Sequence, residues 1–140
     1  MLLIIAIVAS GLFAGAAIYI NLVEHPARLS CGAELAVKEF APSYARATVL
    51  QASLAVAGCL AGVASAWQQS DPAVVTAALL FGLVVPFTLV VILPTNRRLL
   101  DPALDARSPE AASLLRRWGH LHAVRSVLAL AAFLIFVLRA

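Results

Sequence analysis

The sequence predicts an all-α integral membrane protein, a four-helix bundle forming a single transmembrane domain, and three observations predict it. Hydrophobic residues make up 63% of its 140 positions and charged residues 12%, and the mean hydropathy is +0.98, so polar groups are too few to coat a water-soluble globule. The apolar residues fall into four blocks, each near the roughly 20 residues a helix needs to cross about 30 Å of hydrocarbon. Within lipid every backbone N–H and C=O must be satisfied inside its own segment, which makes each block a helix.

The first span covers about residues 2–23. It has no basic n-region and no small-x-small site ahead of a soluble domain, so it reads as a span rather than a secretory signal. Its Gly11-Leu-Phe-Ala-Gly15 segment is a small-xxx-small pattern that lets another helix approach, within the bundle or in a homo-oligomer. Asn21, Glu24, His25 and Arg28 follow at helical spacing, which predicts one shared face, while Pro26 predicts a kink or a helix end. Residues 29–42 read as a loop with a short interfacial helix.

The second span covers about residues 43–67. Tyr44, Thr48, Gln51, Ala55, Gly58 and Gly62 recur three and four apart, giving one face that is polar at its start and small at its end. Asp71 is the expected N-cap of the third span, about residues 73–93, with Pro72 at the first helical position. Pro86 predicts a kink there, and Pro94 closes the span. A loop with Asp101, Asp105 and Arg107 leads to Ser108, the expected cap of a helix that runs into the fourth span, about residues 119–138.

Four alternating spans place the polar clusters around Glu24, Tyr44, Asn96 and His122 at one end. Nine of the ten Lys and Arg residues lie there, with only Arg139 opposite. The positive-inside bias therefore puts the two longer loops in the cytoplasm and both termini outside. The net charge of +3 serves orientation, and no nucleic-acid partner is expected. Membrane lipid is the expected surrounding. Two cysteines offer neither a CxxC motif nor a thiolate cluster.

Interfacial anchoring accounts for Arg97, Arg98, Arg116 and Arg117. For Glu24, His25, His122 and Arg125 a second reading stands beside it, since charged groups near spans usually face a bundle interior or a pathway. Residues two apart on a helix point about 200° apart, so His120 and His122 do not both face the axis. Trp118, His122 and Arg125 share a face, which makes His122 the inward one. Glu24, His122, Asn96 and Arg125 are the candidate catalytic residues, with His25, Tyr44, Gln51 and Trp118 as candidate substrate-binding residues around an apolar ligand. Glu24, His25 and His122 are also candidate metal ligands, for a metal or haem. No cofactor is favoured, because no two histidines have the three- or four-residue spacing of a chelating helix face.

The sequences Tyr19…Val23-Glu24-His25-Pro26-Ala27-Arg28, Pro94-Thr95-Asn96-Arg97-Arg98-Leu99 and Trp118-Gly119-His120-Leu121-His122-Ala123-Val124-Arg125 carry a resemblance. Over nearly its whole length the chain resembles a family of small bacterial four-span membrane proteins of unknown function that is grouped with the fungal anthrone oxygenases. Those enzymes convert an anthrone to an anthraquinone with molecular oxygen. The resemblance implies an oxidoreductase acting with oxygen on an apolar aromatic substrate, in a bacterial inner membrane, with Asn96, His122 and Arg125 at the positions shared with the wider family. The expected site is a polar pocket running into a cleft opened by Gly58, Gly62 and the Pro86 kink. The alternatives are a non-catalytic small-molecule or lipid-binding membrane protein and a His/Glu metal or haem protein.

Overall fold

A computed structural model describes all 140 residues. Four helices are each long and apolar enough to cross a membrane: α1 (Leu2–Ser30), α2 (Ala33–Gln69), α3 (Pro72–Leu99) and α4 (Pro109–Val137). They form the all-α membrane bundle that composition predicts. Helix α1 packs on α2 and α4, and α3 packs on the same two, so consecutive helices are neighbours around a square. The Asp71 carboxylate accepts the Ala73 N–H at 2.8 Å and the Ser108 hydroxyl oxygen accepts the Ala111 N–H at 3.1 Å. Both expected caps are in place.

The core is layered along the bundle. One end holds Ala6, Val74 and Phe136, the middle holds Phe13, Phe81 and Ala129, and the polar end holds Phe40, Leu115 and Trp118. Alanine dominates the buried contacts of the first two layers. Small side chains let backbones come close, and in lipid that dispersion contact replaces the hydrophobic drive as the source of packing energy.

Every helix overruns its apolar block at the same end. Residues 29–42 are not a loop with a separate interfacial helix, because α2 begins at Ala33 and continues through Pro42. The proline removes one backbone bond, yet Ala36 and Phe40 are buried against the polar-end core, and the helix continues through the gap. Pro26 does not end α1, and Pro94 does not end α3. His25 donates its backbone N–H to the Ile20 carbonyl, and Leu93 donates to the Thr88 carbonyl, each five residues back. A widened π turn therefore precedes each of these prolines, Ile20–Glu24 in α1 and Thr88–Ile92 in α3. Such turns absorb a local mismatch without breaking the helix.

The glycines are packing points rather than openings. A Cβ on Gly11 would lie 2.8 Å from the Phe133 ring, while Gly15 meets nothing. Gly58 receives the Phe81 ring and Gly62 the Phe136 ring. The expected cleft at Gly58 and Gly62 is thus filled by aromatic side chains.

Candidate functional site

The site is built where the π turn of α1 meets the start of α4. A regular helix would keep Asn21, Glu24, His25 and Arg28 on one face, but the wider turn divides them. Asn21 and His25 turn to α4, where the Asn21 amide donates to the Gly119 carbonyl at 3.1 Å and the His25 ring lies over Gly119. Glu24 and Arg28 turn to α2.

Arg28 is buried and forms ion pairs with Glu24 and Glu39. It also donates to the Ser43 hydroxyl at 3.1 Å, and Ser43 in turn donates to Glu24 Oε1 at 2.8 Å. The guanidinium carbon lies 5.8 Å from the Phe40 ring centre and 5.9 Å from that of Trp118. Such faces attract a cation through the ring quadrupole. Glu24 is therefore a paired carboxylate, not the isolated acid beside His25 that its sequence position suggests.

Trp118 is the hub of the aromatic cluster. Its ring centre is 4.7 Å from that of His122, 5.0 Å from His25 and 5.3 Å from Phe40. Phe40 stacks on Tyr44 at 5.7 Å. His25 is buried with no hydrogen-bond partner on either ring nitrogen, packed against Trp118 and Gly119 of α4. His120 is exposed and His122 is 2% exposed, as their 200° separation requires.

Beyond Trp118 a hydrogen-bond chain crosses the bundle. His122 Nδ1 is 2.7 Å from Asn21 Oδ1, and the Ser126 hydroxyl donates to the same oxygen at 2.7 Å. Arg125 Nη2 donates to His122 Nε2 at 2.6 Å and to Gln51 Oε1 at 2.5 Å, and its guanidinium carbon sits 5.3 Å from the Phe13 ring centre. No carboxylate pairs with Arg125, although all nine other Lys and Arg residues have acidic partners or lie exposed.

A cavity of about 210 Å³ lies between the aromatic cluster and Phe13. Glu24, Tyr44, Gln51, Asn96, Trp118, His122 and Arg125 all line it, together with Arg28 and Ser43. The structure thus brings the four candidate catalytic residues to one space. His25 is the exception among the candidates: it lies behind Trp118 and does not reach the cavity wall. Glu24, His25 and His122 do not converge either, and no three His, Cys, Asp or Glu side chains form a metal-binding cluster. The remaining walls are apolar, from Phe13, Ala55 and Val84 to Ile92. Thr48 and Ala52 on α2 and Leu89 on α3 line the cavity and are exposed, so its mouth faces the side of the bundle between those helices.

A family model described as anthrone oxygenase matches residues 40–135. The chain belongs to the anthrone oxygenase family. No curated protein and no solved structure matches it. The matched segment of this anthrone oxygenase family member starts at Phe40 and so carries Tyr44, Gln51, Asn96, Trp118, His122 and Arg125, whereas Asn21, Glu24, His25 and Arg28 lie ahead of it.

Three cavity-side groups remain without partners: Gln51 Nε2, Arg125 Nε and Asn96 Oδ1. Buried polar atoms are rarely left so, because each costs the desolvation of an unmade hydrogen bond. The first two donate and the third accepts. Within an anthrone oxygenase fold this is a site that can take a ligand oxygen on one wall and a ligand hydroxyl on another, with apolar surface between. Asn21, Ser126 and Ser43 were not legible as site residues. Asn21 shares the helical spacing of Glu24 and His25, and Ser126 the face of His122. Their further signal is only polarity inside or beside an apolar block, where a polar group usually faces the bundle interior.

Proposed function

We propose that this chain is a membrane oxidoreductase that uses molecular oxygen to convert an activated methylene of an apolar hydroxyaromatic ketone, such as an anthrone, to a second ketone. The observation that carries the reading is Arg125, a guanidinium on the wall of an apolar cavity with no carboxylate partner. An unpaired cation in such a place is costly, and a ligand that becomes an anion during the reaction offsets the cost when it matters. The cavity volume of about 210 Å³ exceeds the roughly 150 Å³ apolar cavity that takes up benzene, which suits more than one fused ring. A mouth between α2 and α3 lets such a molecule enter from the bilayer.

In this reading the substrate carbonyl oxygen accepts from Gln51 Nε2 and the Arg125 guanidinium, and a substrate hydroxyl donates to Asn96 Oδ1. A base removes one methylene proton, and the electron pair moves onto the carbonyl oxygen to give an enolate. Glu24 is the base: both ring nitrogens of His122 are engaged, whereas Arg28 and Ser43 bond only Oε1 of Glu24, which leaves Oε2 to take the proton. The ring carbon forms a bond to oxygen, and protonation gives a hydroperoxide. Loss of the second methylene proton with cleavage of the O–O bond releases water and leaves the new ketone. Donors aimed at an enolate oxygen in a site of low dielectric stabilise the developing charge more than water does.

The test is oxygen uptake by protein purified in mild detergent and supplied with anthrone. One oxygen consumed per anthrone converted is expected, and Glu24→Gln should remove most of it. That variant should fold, because Arg28 keeps Glu39 as its counter-ion. Anthrone binding without oxygen uptake would leave a small-molecule binding protein as the better reading. Metal or haem present in stoichiometric amount and lost with His122 would favour the metal alternative.

A further inference from the structure

We infer that Asn21 is a positioning residue: it fixes the tautomer of His122, and that tautomer makes Nε2 the acceptor that holds the Arg125 guanidinium at the cavity. The inference rests on Arg125 as the anion-binding group of the reaction proposed above.

The assignment follows from donors and acceptors alone. The Asn21 amide nitrogen lies 3.1 Å from the Gly119 carbonyl, an acceptor, so the amide cannot be turned over without setting two oxygens against each other. Asn21 Oδ1 therefore faces His122 Nδ1 at 2.7 Å, and since Oδ1 only accepts, Nδ1 carries the proton. Ser126 donates to the same Oδ1 at 2.7 Å, filling its second lone pair. At the other ring nitrogen the argument is independent. Arg125 has no acceptor atom, so Nε2 at 2.6 Å from Nη2 must present a lone pair. Both ends of the ring require the same state, neutral with the proton on Nδ1.

This changes the role of His122. A histidine whose Nε2 accepts from a guanidinium cannot take up a proton there without placing two cations in contact, so His122 orients Arg125 rather than acting as the base. Gln51 Oε1 receives the same Nη2 at 2.5 Å, and the pair of acceptors holds a long, flexible side chain in one place. The π turn supplies the geometry, since Asn21 faces α4 while Glu24, in the same turn, faces α2 and the cavity. Asn21 lies outside residues 40–135 that match the family model, so this part of the site is contributed by α1.

The test reads the ring nitrogens of His122 by NMR in protein labelled with 15N-histidine, with assignment by His122→Gln. A protonated Nδ1 and an unprotonated Nε2 are expected in the native protein and in Ser126→Ala, which keeps the Asn21 acceptor. In Asn21→Leu only the flexible Arg125 side chain still favours that tautomer and can swing away to Gln51, so the tautomers should mix, and kcat for anthrone should fall by about tenfold, the scale of one hydrogen bond to a charged group. A native His122 protonated on Nε2, or an unchanged tautomer in Asn21→Leu, overturns the inference. If Asn21→Leu does not fold, the native spectrum alone decides. Failure of the proposed reaction reads differently: the tautomer would be as described, with no oxygen consumed.

Discussion

Arg125 brings a full charge to an apolar cavity with amide, imidazole and aromatic partners and no carboxylate. An inward arginine would ordinarily carry the large penalty of breaking a buried ion pair, but the one carboxylate on the cavity wall, Glu24, pairs with Arg28, so that penalty does not arise. In Arg125→Met the relief of the buried charge is opposed by the loss of the donor to Gln51 Oε1 and His122 Nε2, so stability should change by no more than about 1 kcal/mol. The same variant should lose anthrone oxidation. Thermal unfolding in detergent beside oxygen uptake checks both, and a clear fall in Tm would mean that Arg125 is structural. Single residues were legible where helical spacing was regular: Trp118, His122 and Arg125 do share the inward face, and His120 does not. They were not legible where spacing was broken. Asn21 and His25 parted from Glu24 and Arg28 because hydropathy carries no mark of a π turn.

At the scale of elements, the four apolar blocks showed where lipid contact ends and not where helices end. Residues 33–42 are polar enough to read as part of a connection, yet they open α2. Residues 109–118, equally polar, read correctly as the helix that leads into the fourth span, since helix ends are set by caps and packing. Ser108 was legible as a cap because its bond to the Ala111 N–H is local, whereas the α2 start at Ala33 depends on Phe40 meeting Trp118 across the bundle. The contact between α1 and α4 is equally non-local, and it can be tested at one atom. A Cβ on Gly119 would stand 2.7 Å from His25 Nε2 and 2.8 Å from Cδ2. The ring is backed by Trp118 and has little room to yield. Gly119→Ala should cost about 1–3 kcal/mol, the usual range for overpacking. Combining it with His25→Ala should recover part of the loss, because neighbours couple. Additive losses in that double-mutant cycle would mean the two residues are not in contact.

For the molecule as a whole, the bundle is polar at one end and nearly uncharged along the rest. Nine bases and six acids gather at the first end, against Arg139 and Asp71 at the other. Arg107 bonds Glu34 at 2.8 Å and Arg98 bonds Glu110 at 2.9 Å, so the loop between α3 and α4 is tied to α2, and the end of α3 to the start of α4. These exposed pairs contribute little to stability, about 0–1 kcal/mol each, and their larger consequence is orientation. The positive-inside bias counts bases in short loops and gives acids little weight, and it predicts that this end, with the site just inside it, is on the cytoplasmic face. Cys31 reports on it directly, because it is exposed in the turn between α1 and α2 at the same end. In a Cys59→Ser background it is the single thiol. A membrane-impermeant maleimide added to intact cells should leave Cys31 unlabelled, and permeabilising the cells should expose it. Labelling in intact cells would reverse the bundle, set the mouth of the polar site on the outer face, and remove the charge bias as the cause of its orientation.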